Sequence, residues 1–198
     1  MHNVKLKGHQ KAYLPLKRII DFLGSFVGIL VCFSLFWWWI FIVNLFVTKG
    51  HPIFAQKRVG KNGELFKLLK FRTMPVDVNP NMTAEEAKTL ENHTGFGKFL
   101  RKSSLDETLQ LLNIFVGKMA FIGPRPLIYH NLDKITIDLR KENGSIALRP
   151  GLSGYAQING RTLNSPEKKA ELDLYYFEHI SLWMDIKLFI LSIFKAIN

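Results

Sequence analysis

Residues 22–47 read FLGSFVGILVCFSLFWWWIFIVNLFV, an unbroken apolar run from Phe22 to Val47 with no charged side chain. As a helix this run rises about 39 Å, against about 30 Å of bilayer hydrocarbon. Uncharged runs of this length are membrane segments rather than core helices. A cleaved signal peptide is excluded on two counts: the run exceeds the roughly 7–15 apolar residues of a signal, and no small-x-small cleavage site follows it. Three features speak against a straight crossing. Both flanks are basic, with Lys17 and Arg18 before the run and Lys49, Lys57, Arg58 and Lys61 after it, whereas a crossing helix carries its excess positive charge on one side. Trp37, Trp38 and Trp39 lie near the middle, although tryptophan favours the membrane–water interface. Gly24, Gly28, Cys32 and Ser34 make the first half easy to bend. The run therefore predicts a re-entrant helical hairpin that breaks near Ser34, with both ends facing the cytoplasm.

Outward from this segment, the chain divides into a basic arm with its membrane helix over 1–48 and a cytosolic domain over 49–198. A length of 198 residues suits one domain with a core of its own. The net charge of +11 calls for an anionic partner, whether nucleic acid, phosphorylated substrate or acidic lipid. Hydrophobic content of 47% with 16 Phe and 4 Trp favours the membrane over nucleic acid. Cys32 is the sole cysteine, which rules out a disulfide framework and a cysteine metal cluster and fits a reducing compartment. The histidines show no metal-binding spacing.

After Gly50 the period changes to two. Pro52–Val59 and Glu64–Met74 flank Gly60-Lys61-Asn62-Gly63, a β-hairpin whose turn requires positive φ. Lys67, Lys70 and Arg72 decorate its second strand, either as a solvated face or as part of a site. Residues 76–93 are a polar surface excursion in which Thr83 and Glu86 match a capping box. Asp133 to Asn143 reads as a solvated helix. Ile180 to Ile197 is apolar apart from Asp185, Lys187 and Lys195, and suits either an interfacial amphipathic helix or a core helix.

The chemistry concentrates between Arg101 and Pro126. Ser104-Leu105-Asp106-Glu107 is a capping box by pattern, followed by a short amphipathic helix that Gly117 can end. A helix start is also an anion-binding place, where the dipole keeps a carboxylate such as Asp106 ionised. Gly123-Pro124-Arg125-Pro126 then displays an arginine from stiff backbone, and a guanidinium fork suits phosphate oxygens. Arg149 to Arg161 brings further glycines, arginines and amides, including Gln157, into a second candidate phosphate loop.

Taken in order, Lys17-Arg18-x-x-Asp21, Lys70-Phe71-Arg72-Thr73-Met74, Ser104-Leu105-Asp106-Glu107, Gly123-Pro124-Arg125-Pro126, Arg149-Pro150-Gly151 and Glu171-Leu172-Asp173-Leu174-Tyr175-Tyr176 resemble the bacterial sugar transferases, the monotopic phosphoglycosyl transferases. The resemblance runs from about Lys17 to near the end, and in size the chain is similar to small members of the kind that initiate N-linked glycans. It departs at one point: the family breaks its membrane helix at Ser-Pro, and here Ser34 is followed by Leu35.

The resemblance implies a mixed α/β protein, mainly α with a small β-hairpin, held in the membrane by a re-entrant helix and interfacial amphipathic helices. It implies a place at the cytoplasmic face of the bacterial inner membrane. The implied reaction moves a sugar 1-phosphate from a UDP-sugar to membrane polyprenyl (undecaprenyl) phosphate, with Mg²⁺, as the first membrane step of glycoconjugate synthesis. Asp106 would be the nucleophile of a covalent intermediate and, with Glu107, a ligand of Mg²⁺. Arg125 would stabilise phosphoryl charge, with Arg101, Lys70, Arg72, Arg149, Gln157, Arg161, Asp173 and Tyr176 as further substrate-binding positions. Two alternatives stand beside this: a non-catalytic, basic, membrane-anchored binding module, and a single-step transferase in which Asp106 only holds metal. A nucleic-acid binder would leave the apolar run unexplained.

Overall fold

Helix runs without interruption from Gly8 to Val47 in the computed structural model, which describes residues 6–48, 50–74, 95–129, 131–159 and 165–197. The run comprises α1 (Gly8–Cys32), a π-turn (Phe33–Trp37) and α2 (Trp38–Val47). Its most apolar window is only 11% buried, which is not how a core helix sits. Around Ser34, where the break is expected, the helix carries a π-turn, and Cys32, Trp37 and Trp38 keep helical dihedrals. With no proline there, no backbone donor is lost. Ser34 Oγ donates to the Leu30 carbonyl at 2.7 Å, and a hydroxyl competing for a helix carbonyl favours a local widening over a rupture.

The predicted hairpin is present as β1 (Ile53–Val59) and β2 (Leu65–Phe71) around a 3₁₀ turn, Lys61–Gly63. Asn62 and Gly63 supply the positive φ, 56° and 82°. A short strand β4 (Leu127–Ile128) runs antiparallel to β1, giving the order β2-β1-β4 with Arg58 opposite Ile128. A second sheet pairs β3 (Ala120–Ile122) in parallel with β5 (Gly151–Ser153), Ala120 opposite Gly151. Among the described residues the further α-helices are α3 (Gly95–Lys102), α4 (Gln110–Phe115), α5 (Asn131–Asn143), α6 (Tyr155–Asn159), α7 (Pro166–His179) and α8 (Leu182–Ile197). The capping box at Thr83 and Glu86 lies outside the described residues.

Within the fold the residues group into two compact units. One compact unit takes residues 1–24, 57–66 and 114–198, and the other takes 25–56 and 67–113. In the first, Ile122, Leu148, Tyr176, Phe177, Ile180 and Leu188 form a core. Beside it Asp185 is a hub: it accepts from Lys17 Nζ and Tyr13 OH, both at 2.7 Å, and from Tyr176 OH at 2.6 Å. Asp21 is 3.8 Å from the same ammonium and accepts the Phe121 amide at 3.1 Å. The Lys17-Arg18-x-x-Asp21 motif therefore ties the base of α1 into this unit. Arg18 reaches the Ile114 and Phe115 carbonyls at the end of α4.

Glycines read as phosphate-loop residues have a different use. Gly123 donates to Ser153 O and Gly151 donates to Pro124 O, each at 2.9 Å, so the Gly123-Pro124 and Pro150-Gly151 segments abut backbone to backbone. A Cβ on Gly151 would land on Gly123 N, on Ser153 O and 2.7 Å from Gly123 Cα. The close approach is to the backbone just after β3. Gly151→Ala is expected to cost about 3 kcal/mol and to lower the melting temperature by roughly 6–12 °C, read by thermal shift in detergent.

Candidate active site

Asp106 belongs to the second unit and lies on a 3₁₀ turn, Leu105–Leu109, that runs straight into α4. The turn starts from Ser104 in the left-handed region, φ 56°, and no capping bond forms from its side chain. The capping box read from Ser104-x-x-Glu107 is thus absent: the strained turn replaces a conventional helix start. Its effect is to press Asp106 inward, 4% exposed, while Glu107 stays exposed.

Asn113 fixes this element to the hairpin. Its amide accepts from Leu69 N at 3.0 Å and donates to Lys67 O at 2.8 Å. β2 is an edge strand, so one side chain satisfies a donor and an acceptor that would otherwise be left open. The helix carrying Asp106 and the strand carrying Lys70 are thereby joined. Lys67 is exposed, whereas Lys70 and Arg72 are half-buried, so the basic strand residues are not one solvated face. Arg72 Nε donates to His51 O at 2.8 Å. Asn44, the amide within the apolar run, donates to Arg72 O at 3.0 Å. Trp37 in the π-turn donates its indole N–H to Thr108 Oγ1 at 2.9 Å, and Trp39 meets Phe96 edge-on at 5.5 Å. These contacts give the central tryptophans polar and aromatic partners within their own unit.

Burial, and then the neighbouring Glu107 carboxylate, push the Asp106 carboxyl up to about 6, while Lys70 and Arg101 draw it back down. Desolvation outweighs the helix-terminus effect expected to hold it ionised. At neutral pH Asp106 is still predominantly charged, held near two cations and little hydrated. That is the condition of an activated carboxylate nucleophile. Among the described residues no three metal-ligating side chains gather. The Asp106–Glu107 pair still fits Mg²⁺, which takes one or two carboxylates and completes its shell with water and substrate phosphate. The like charge that raises Asp106 is what a dication would relieve.

The other candidate residues fall in the first unit. Arg125 is exposed between buried Pro124 and Pro126, and its carbonyl accepts from Arg140 Nη1 at 3.0 Å, so its backbone is held. Arg149 Nε donates to Gly117 O at 2.9 Å. Burial and the Arg18 charge lower its pKa. Gln157 donates to Leu152 O at 3.3 Å. Asp173 and Tyr176 have partners inside the fold. Asp173 is buried against Arg140 Nε at 2.9 Å, and the Tyr176 hydroxyl is buried on Asp185. Both hold the fold. Arg161 lies outside the described residues. Asn113, Thr108 and Trp37 hold the site without having been singled out by sequence as site residues, and of these Asn113, an amide inside an apolar helix, carries a local signal.

Comparison with known proteins agrees with the motif order. The description "bacterial sugar transferase" attaches to a family profile that matches residues 12–198. The chain is 33% identical to the galactosyl transferase CpsE of Streptococcus agalactiae, over 95% of this chain and 43% of that protein. It is 37% identical to the uncharacterized sugar transferase EpsL of Bacillus subtilis, over 92% and 87% respectively. It is also 37% identical to a UDP-glucose:undecaprenyl-phosphate glucose-1-phosphate transferase of Klebsiella pneumoniae, over 75% of this chain and 33% of the relative. The chain thus spans about two-fifths of the first of these relatives and a third of the last, and most of the second. With the profile covering nearly its whole length, the chain belongs to the bacterial sugar transferase family.

Proposed function

We propose that this chain transfers a sugar 1-phosphate from a UDP-sugar to polyprenyl phosphate, releasing UMP, and that Asp106 carries the phosphosugar between the two. The observation that supports it most is a carboxylate 4% exposed and held on a strained turn near Lys70 and Arg101. In the first step an Asp106 oxygen attacks the phosphorus bearing the sugar. The bond from that phosphorus to the UMP oxygen breaks, and UMP leaves with the electron pair. In the second, a polyprenyl phosphate oxygen attacks the same phosphorus and the aspartate leaves as carboxylate, giving polyprenyl diphosphate sugar. Lys70 and Arg101 offset the negative charge that gathers around Asp106. Asp106 and Glu107 would hold Mg²⁺, which when bound neutralises phosphate charge. Arg125 keeps a proposed role as a phosphate contact on the strength of its rigid, exposed presentation.

The deciding experiment is UMP release from a panel of UDP-sugars by the protein in nanodiscs with undecaprenyl phosphate and Mg²⁺. Release with at least one sugar is expected, and none with any would overturn the reading. Because only the ionised carboxylate attacks, kcat/KM at limiting Mg²⁺ should rise through an acid limb near pH 6, which saturating Mg²⁺ moves to lower pH. A profile flat from pH 5 to 8 would contradict that assignment.

The membrane arrangement proposed is re-entrant, at the cytoplasmic face of the bacterial inner membrane. Its support is the π-turn, a site where helices bend, the basic flanks on both sides of the apolar run and the apolar outer face of α8, with Trp183, Phe189 and Phe194 exposed. Cysteines placed at His9 and Lys57 should both label from one side of sealed vesicles. Labelling from opposite sides sinks the re-entrant topology.

A further inference from the structure

Lys70 and Arg72 stand two residues apart, and both cations lie over one ring. Lys70 Nζ is 5.4 Å from the centroid of Phe54, and Arg72 Cζ is 5.8 Å from it. Like charges repel, and on an ordinary strand end two such side chains would diverge into solvent. The negative face of the ring attracts each of them. Arg72 is held from a second side by the His51 carbonyl. Alternation along β2 places Lys70 on the same face as Phe66 and Leu68, which are both buried. An apolar sheet face therefore ends in two half-buried cations gathered on an aromatic ring. Lys70 is also close enough to Asp106 for its charge to act there. Two fixed cations beside a carboxylate that attacks phosphorus match two linked phosphates.

We propose that Phe54 is a positioning residue, whose ring holds Lys70 and Arg72 side by side as a two-point clamp for the diphosphate of the nucleotide substrate. The inference rests on the transferase reading above and adds to it the group that organises the clamp. Phe54 touches no substrate. It acts through the two cations, so its electronics matter as much as its shape.

The test uses the full chain in nanodiscs without polyprenyl phosphate, so that no turnover occurs, titrated calorimetrically with UDP in the presence of Mg²⁺. Phe54 is replaced by mono-, di- and trifluorinated phenylalanine, which keep the ring's shape while draining its negative face. The Kd for UDP should rise with each fluorine, by about tenfold in all. Phe54→Trp should keep the parent affinity, and the melting temperature should stay constant through the series. A Kd that is flat across the series while the parent binds UDP overturns the clamp and leaves the transferase reading standing. Weakening that follows the melting temperature rather than the fluorine count overturns it as well. A parent protein without affinity for UDP overturns both.

Discussion

Asp106→Asn is expected to abolish turnover and to make the protein more stable. The amide cannot act as nucleophile, so activity should fall by roughly 10⁴-fold or more. The stability gain follows from the environment that activates the carboxylate. Burial and Glu107 raise Asp106 from 3.8 to about 6 in the folded chain. A group raised in this way favours folding fully below its unfolded value and loses that contribution as pH climbs through its folded value. Above about pH 6 the ionised carboxylate therefore burdens the native state by about 3 kcal/mol relative to an uncharged side chain. Asparagine does not ionise and escapes that burden. The difference in melting temperature between variant and parent should be small at pH 4, grow between pH 4 and 6, and level off at roughly 6–12 °C above pH 7. Equal melting temperatures at pH 8 would show that Asp106 is hydrated in the folded protein.

The second large effect concerns a residue far from any proposed chemistry in role. Asp185→Ala should cost about 3–5 kcal/mol, because removing one partner of a buried ion pair strands the other. Lys17 is 8% exposed, and without Asp185 its remaining carboxylate neighbour is Asp21 at 3.8 Å. The Tyr13 hydroxyl would lose the acceptor that anchors it, and the fully buried Tyr176 would retain only the longer contact to Ile122 O at 3.3 Å. A drop in melting temperature of roughly 10–15 °C is expected. Lys187→Ala on the same helix is the control: Lys187 is exposed, and its loss should fall within about 0.5 kcal/mol. If the two variants melt alike, the hub does not hold α8.

What could be read from residue order depended on whether the signal was local. The apolar run at 22–47 and the hairpin around Gly60–Gly63 are set by composition and by a turn needing positive φ, and both are present. Ser104-x-x-Glu107 has the pattern of a capping box, yet Ser104 takes a left-handed conformation and caps nothing, because burying Asp106 decides the turn. Asp173 and Tyr176 sit in a motif shared with the family, but their partners Arg140 and Asp185 lie on other helices, so only packing reveals those pairings. Gly151 was legible as part of a loop of close approach, and its near neighbour is the backbone of Gly123. Ser34 shows the same limit from the other side: a serine without a following proline widens a helix, and the pattern of neighbours does not foretell a π-turn. Phe54 gave no local sign, since a phenylalanine in a strand reads as core.

The central claim is that Asp106 itself carries the phosphosugar. Purified protein incubated with a UDP-sugar it accepts and Mg²⁺, without polyprenyl phosphate, should release UMP in an amount no greater than the enzyme present. Intact mass should rise by one sugar phosphate, located at Asp106 after proteolysis and absent from Asp106→Asn. An unmodified enzyme that releases no UMP alone, yet turns over fully once polyprenyl phosphate is added, would contradict the account.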